Sequence, residues 1–321
     1  MGTYFITMSG GEVFMRPDMF DIWKEHDDVF FQLYTNGTLI DDKVAARLEE
    51  CGNVAPMISL EGFRERTDAR RGPGAFDRVL SAMDSLREAG VMFGASFTET
   101  RENMEEIASD EILDLLVEKG ALVAWYFQYI PIGREPHIEL MPTPQQRDWL
   151  RRRLLDIREE KSIFIGDFWN DGPLVDGCIA GGKYYFHIYA NGDISPCVFS
   201  PIAVGNIFDI IEGKTPYRSL DDFVQRNPFF LGFREKQKLI HDRAAPCLLI
   251  DHPELFRDLC KNIPFKAAKN MPPDYLEGPI AKAIDELAAA WKALVPNLPP
   301  LPSERHAAEK KKQVEKQAIK V

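Results

Sequence analysis

The sequence predicts an α/β fold, with a mostly parallel sheet in the first half of the chain and a smaller, turn-rich unit behind it. Three observations predict this. Up to about residue 132, apolar β-like runs alternate with amphipathic stretches, the pattern of repeated strand-helix units. After Asp167 the texture changes to short strands separated by turn residues. Near the C-terminus a single helical stripe is closed by prolines.

Strands are expected at residues 4–8, 29–35, 54–60, 91–97 and 123–130, which are rich in β-branched and aromatic side chains. Between them, Phe76, Val79, Leu80, Met83 and Leu86 fall on one helical face, with Gly90 as a C-terminal stop. Ile112, Leu115 and Leu116, closed by Gly120, repeat the device. Thr143-Pro144-Gln145-Gln146 supplies an N-cap, a proline in the first turn and a Gln three residues after the cap, so a helix should run to about Glu160.

In the second half, strands are expected at residues 184–189 and 194–199, joined through the hairpin signal Asn191-Gly192. Ile280, Ile284, Leu287, Trp291 and Leu294 make the late helical stripe, ended by Pro296, Pro299, Pro300 and Pro302. The lysine-rich residues 309–321 read as a solvated, partly disordered tail. The expected units are therefore 1–165, 166–275 and 276–321.

The composition is that of a globular protein: 45% hydrophobic and 28% charged over 321 residues. A net charge of −11 opposes broad attraction to nucleic acid or to an anionic membrane surface, leaving small molecules or proteins as partners. No apolar run approaches the roughly 20 residues of a membrane span, and the first residues lack the order of a signal peptide, so the expected location is the cytoplasm. Five cysteines without dense spacing do not form a secreted disulfide framework.

In a parallel α/β sheet the carboxyl ends of the strands line the active face. Here the five expected strands end in Gly10-Gly11-Glu12, Thr35-Asn36-Gly37, Ser59-Leu60-Glu61-Gly62, Ser96-Phe97-Thr98 followed by Arg101 and Asn103, and Pro131-Ile132-Gly133-Arg134. Each alone is an ordinary turn; five in succession point to a site.

These motifs resemble those of the radical S-adenosylmethionine enzymes, more closely the branch with a C-terminal twitch or SPASM extension, over residues 3–255. The resemblance implies a partial (β/α) barrel lacking its first strand, then a small twitch/SPASM-like domain and a C-terminal helix. It implies that Gly10 and Gly11 carbonyls and the Glu12 carboxylate hold the amino group of S-adenosylmethionine; an ammonium needs acceptors only, and glycine lets backbone oxygens come close. By the same resemblance Ser59, Glu61, Ser96 and Asn103 lie where the cofactor's ribose and carboxylate are contacted, Asn36 belongs to the same cofactor-binding set, and "YIPIGR" lies where adenine packs. Arg70 and Arg71 either steer an anionic group or are solvated surface arginines, the latter being the preferred reading.

Cys178 and Cys197 flank a hairpin in a C-x13-G-x4-C arrangement, and Cys247 follows in "APCLLIDHPEL". The resemblance implies an auxiliary [4Fe-4S] cluster on these three, with Cys260 or a substrate atom as fourth ligand; thiolate sulfur suits iron–sulfur chemistry. Two alternatives stand beside it: buried free cysteines, and a zinc site recruiting His187 or His252, though no C-x2-C pair is present. Cys51 reads as packing, and Phe256, Leu259 and Cys260 also read as one helix face.

The family's radical-generating [4Fe-4S] cluster needs C-x3-C-x2-C, which this sequence does not contain. The expectation is that the motif belongs to a longer parent chain, through truncation or a mis-assigned start, or that the chain is a natural remnant; alone it is expected to be inactive. The leading reading is an enzyme that cleaves S-adenosylmethionine to begin radical chemistry on a peptide or small molecule, with an electron donor such as flavodoxin or ferredoxin. The alternative is a non-catalytic iron–sulfur or adenosyl-binding module acting through a partner.

Overall fold

The computed structural model describes residues 2–297. Pro299, Pro300, Pro302 and the tail 309–321 lie outside the described residues. Six strands, β1 (Phe5–Met8), β2 (Phe30–Thr35), β3 (Val54–Leu60), β4 (Gly94–Glu99), β5 (Val123–Gln128) and β6 (Phe164–Asp167), pair in sequence order, all parallel, in an open sheet. Seven helices connect them: α1 (Met19–Glu25), α2 (Asp42–Cys51), α3 (Arg64–Arg71), α4 (Ala75–Glu88), α5 (Met104–Ile107), α6 (Asp110–Lys119) and α7 (Pro144–Glu160).

Local chemistry sets these bounds. The Thr143 hydroxyl accepts the Gln146 N–H and the Gln146 side chain accepts the Thr143 N–H, a complete capping box that starts α7. Ser109 caps α6, and Gly120 ends it in the left-handed region. β4 starts at Gly94 rather than Val91, because its pairing with β3 begins opposite Met57. A side chain at Gly94 would stand 2.5 Å from the Val123 carbonyl oxygen, so only glycine fits there. β6 was not anticipated; it has four residues, one of them glycine.

One face of the sheet, through Phe31, Leu33, Ile58, Leu60, Phe97 and Tyr126, packs on Val79, Met83, Leu86, Leu116 and Leu154 of the helices. Being buried, these runs are apolar on successive turns of the pattern, as parallel sheets require. β1 and β6 are the edges, and Tyr4, Phe5 and Ile6 are exposed along the first.

Beyond β6 the strands are shorter than expected. β7 (His187–Ile188) and β8 (Asp193–Ser195) form the hairpin, with Gly192 at φ +84° in its turn, and β10 (Gly205–Asn206) joins β8. β9 (Ile202–Ala203) pairs with β11 (Lys266–Ala267). Helices dominate the remainder: α8 (Ile207–Ile211), α9 (Leu220–Arg226), α10 (Pro228–Lys238), α11 (Pro253–Asn262) and α12 (Pro279–Leu294). A second core joins Ile130 and Met141 to Trp169, Phe229, Phe233, Leu248, Phe256 and, from the late stripe, Ile280 and Ile284. No helix among the described residues is long and apolar enough to cross a membrane.

Candidate active site

The turn after β1 holds Gly10 at φ +88° and Gly11 at φ +56°, a conformation that favours glycine. Among the described residues nothing lies within 4 Å of where a side chain on either would be, so the turn is open on that side. Glu12 then folds back across the end of β2. Its carboxylate accepts the Thr35 hydroxyl at 2.8 Å, the Asn36 N–H at 2.9 Å and the Phe14 N–H at 3.3 Å. Asn36 thus meets Glu12 through its backbone, while its side-chain oxygen accepts the Thr38 N–H and hydroxyl.

Ser59 and Ser96 are register partners on β3 and β4, their hydroxyl oxygens 3.4 Å apart. Strand alternation puts Gln32, Tyr34, Trp125 and Phe127 on this same face, away from the helices. Gly166 lets the Trp125 ring lie close over β6, since a side chain there would stand 2.5 Å from the indole.

Glu61 and Asn103 serve the frame of the site. Glu61 is 3% exposed, and its carboxylate accepts Arg70 Nη1 at 2.9 Å and Arg71 Nε at 3.0 Å. Both arginines pair with the buried Glu61 carboxylate; Arg70 is exposed, as the surface reading has it, while Arg71 is half-buried, which corrects that reading for Arg71. Asn103 donates from Nδ2 to the Glu61 and Thr98 carbonyls and accepts the Thr100 N–H and hydroxyl, which uses its amide fully. It ties the ends of β3 and β4 together. In the "YIPIGR" loop, Ile130 and Ile132 pack in the second core and the Gly133 N–H bonds to the Asn270 carbonyl.

The second core also gathers the cysteines. Cys197 is buried, and Cys178, Cys247 and Cys260 pack against the same cluster with Tyr185. The Phe199 N–H points at Cys197 Sγ and the Leu249 N–H at Cys247 Sγ, each at 3.4 Å and each two residues beyond its cysteine. The Ala180 backbone, again two residues on, partly offsets the effect of burial on Cys178. Tyr185 Oη stands 2.9 Å from Cys197 Sγ. Burial, then the neighbouring Cys197, pushes the Cys178 thiol up to about 12; burial, then Cys247, does the same for Cys197. Cys247 is pushed up by burial, then by Asp251 and Cys178. Each thiol therefore acts on another of the three.

Cys260 lies on α11 against the same core, and burial raises its thiol to about 12. Cys51 packs against the first core. The zinc alternative finds no support: among the described residues no three His, Cys, Asp or Glu side chains are placed to hold a single ion, His187 packs edge-on to Tyr189, and His252 Nε2 bonds to the Ala245 carbonyl. All five cysteines are free thiols. The backbone N–H groups aimed at Cys197 and Cys247 offset part of the burial that pushes these thiols up.

Sequence reasoning named Thr35 only as part of a strand end and missed Tyr185 and Asp251. Asp251 accepts the Cys247 N–H at 3.0 Å and so shapes that cysteine's turn. An acid four residues after a cysteine was the available signal.

Residues 1–115 match the model of the Radical SAM superfamily. The chain is 29% identical to the mycofactocin maturase MftC of Mycobacterium ulcerans, over 96% of this chain and 79% of that one. It is 28% identical to an AdoMet-dependent heme synthase of Methanosarcina barkeri, over 69% of this chain and 72% of that protein. The fold is similar to that of native anSMEcpe with bound AdoMet and a Cp18Cys peptide, with a TM-score of 0.58 at 17% identity, over 92% of this chain and 86% of that one. The match over residues 1–115 and these relatives support the radical SAM superfamily, a family of enzymes that use S-adenosylmethionine and a [4Fe-4S] cluster.

Proposed function

We propose that this chain holds S-adenosylmethionine at the carboxyl ends of β1 to β4 and serves radical chemistry on a peptide or a small molecule. The observation that carries this is the placement of Glu12, whose carboxylate is fixed by Thr35 and the Asn36 N–H beside the open Gly10-Gly11 turn. In this reading the two glycine carbonyls and the Glu12 carboxylate accept the cofactor's ammonium, while Ser59 and Ser96 offer hydroxyls to its polar end. Glu61 and Asn103 keep the strand ends in place. When bound, S-adenosylmethionine supplies the radical chemistry, and the protein supplies binding, orientation and exclusion of water.

Cys178, Cys197 and Cys247, in the unit 166–275, are proposed to hold an auxiliary [4Fe-4S] cluster; their shared core and the N–H groups aimed at Cys197 and Cys247 support this. A peptide substrate is favoured by the maturase relatives and the peptide-bound neighbour. An electron donor such as flavodoxin or ferredoxin and a cytoplasmic location complete the proposal, and the net charge of −11 supports the absence of nucleic-acid or membrane partners.

Titration calorimetry with S-adenosylmethionine tests the site. Glu12→Ala removes a charge-assisted contact, so affinity should fall about 10- to 100-fold. Unchanged affinity overturns the assignment of Glu12.

A further inference from the structure

Tyr275 has a hydroxyl with no use in the protein fold. It sits in the turn before α12, its N–H bonded to the Pro272 carbonyl, and it is 3% exposed. Its Oη is buried and has no hydrogen-bond partner among the described residues. Buried polar atoms without partners are rare in native folds and call for an explanation.

The surroundings supply one. Tyr275 belongs to the core that packs Cys178, Cys197, Cys247 and Cys260. Tyr185, the other tyrosine of this pocket, already meets Cys197 Sγ at 2.9 Å. A phenol O–H is a hydrogen-bond donor, and this one has no acceptor among the described residues.

We propose that the Tyr275 hydroxyl donates a hydrogen bond to a sulfur of the cluster held by Cys178, Cys197 and Cys247, and thereby sets its reduction potential. The assignment rests on the cluster reading above. Reduction adds negative charge to the sulfurs, and a donor stabilises the more negative state, so the hydroxyl raises the potential. The apolar remainder of the pocket strengthens the effect by excluding water.

The test uses the full chain, reconstituted anaerobically with iron and sulfide, as wild type, Tyr275→Phe and Tyr185→Phe. Without iron, Tyr275→Phe should unfold at the same or a higher temperature than wild type, because it removes a hydroxyl that has no partner. With iron, it should retain the wild-type iron and sulfide content and show a midpoint potential lower by about 59 mV, which is a tenfold change for one electron. Tyr185→Phe should lower stability already without iron, since its hydroxyl has a protein partner. Lower stability of iron-free Tyr275→Phe, or its failure to fold, overturns the proposal, because the hydroxyl then serves the protein. So does a wild-type potential in a loaded Tyr275→Phe. If wild type itself takes up no iron, the cluster reading fails and this assignment falls with it; if wild type loads normally, only the role of Tyr275 is at stake.

Discussion

Arg147 on α7 and Asp251, 104 residues apart in sequence, form a buried ion pair at 2.6 Å. Arg147 also donates to Asn170 Oδ1 at 2.8 Å and lies over the Trp291 ring of α12, 4.2 Å from its centroid. The second oxygen of Asp251 accepts the Cys247 N–H at 3.0 Å. The last helix of the sheet is thereby fastened to the turn that carries a candidate cluster ligand.

Arg147→Met should therefore be severe, because it leaves Asp251 buried without its cation; breaking one side of such a pair costs about 3–5 kcal/mol. Urea unfolding measures it. The double variant Arg147→Met/Asp251→Leu should recover part of the loss, and a single-variant loss under about 1 kcal/mol contradicts the account.

Glu99, at the end of β4, is fully buried, and neither carboxylate oxygen has a partner among the described residues. Burial, then nearby Asp167, holds its carboxyl well above the usual range; Asp167 itself is raised to about 6 by burial, then by Asp171. A carboxyl whose folded pKa is raised binds more protons folded than unfolded, so stability falls as pH rises from the unfolded value, about 4.3 for Glu, toward the folded one. Glu99→Gln keeps the shape and removes the titration. Its melting temperature should match wild type near pH 5 and exceed it by several degrees at pH 8. An equal difference at both pH values contradicts this origin.

The sequence made local chemistry legible and left pairings across the chain hidden. β3 has the bounds its apolar run suggests, and α7 begins at the capping box that Thr143 and Gln146 announce. β6 is too short and glycine-broken to stand out. The helices α8, α9 and α10 carried readable caps at Asn206, Ser219 and Asn227, but the nearby hairpin signals drew the region toward strands. The Gly10-Gly11-Glu12 turn was visible because it is contiguous. The bonds from Thr35 to Glu12, from Arg71 to Glu61 and from Arg147 to Asp251 join residues whose spacing encodes nothing.

The most direct measurement is the iron and sulfide content of the anaerobically reconstituted chain, compared among wild type and the Cys178→Ala, Cys197→Ala, Cys247→Ala and Cys260→Ala variants. The account predicts a cluster in wild type, its loss in each of the first three, and its retention in Cys260→Ala, since Cys178, Cys197 and Cys247 act on one another. Full iron in any of the first three, or none in wild type, contradicts it.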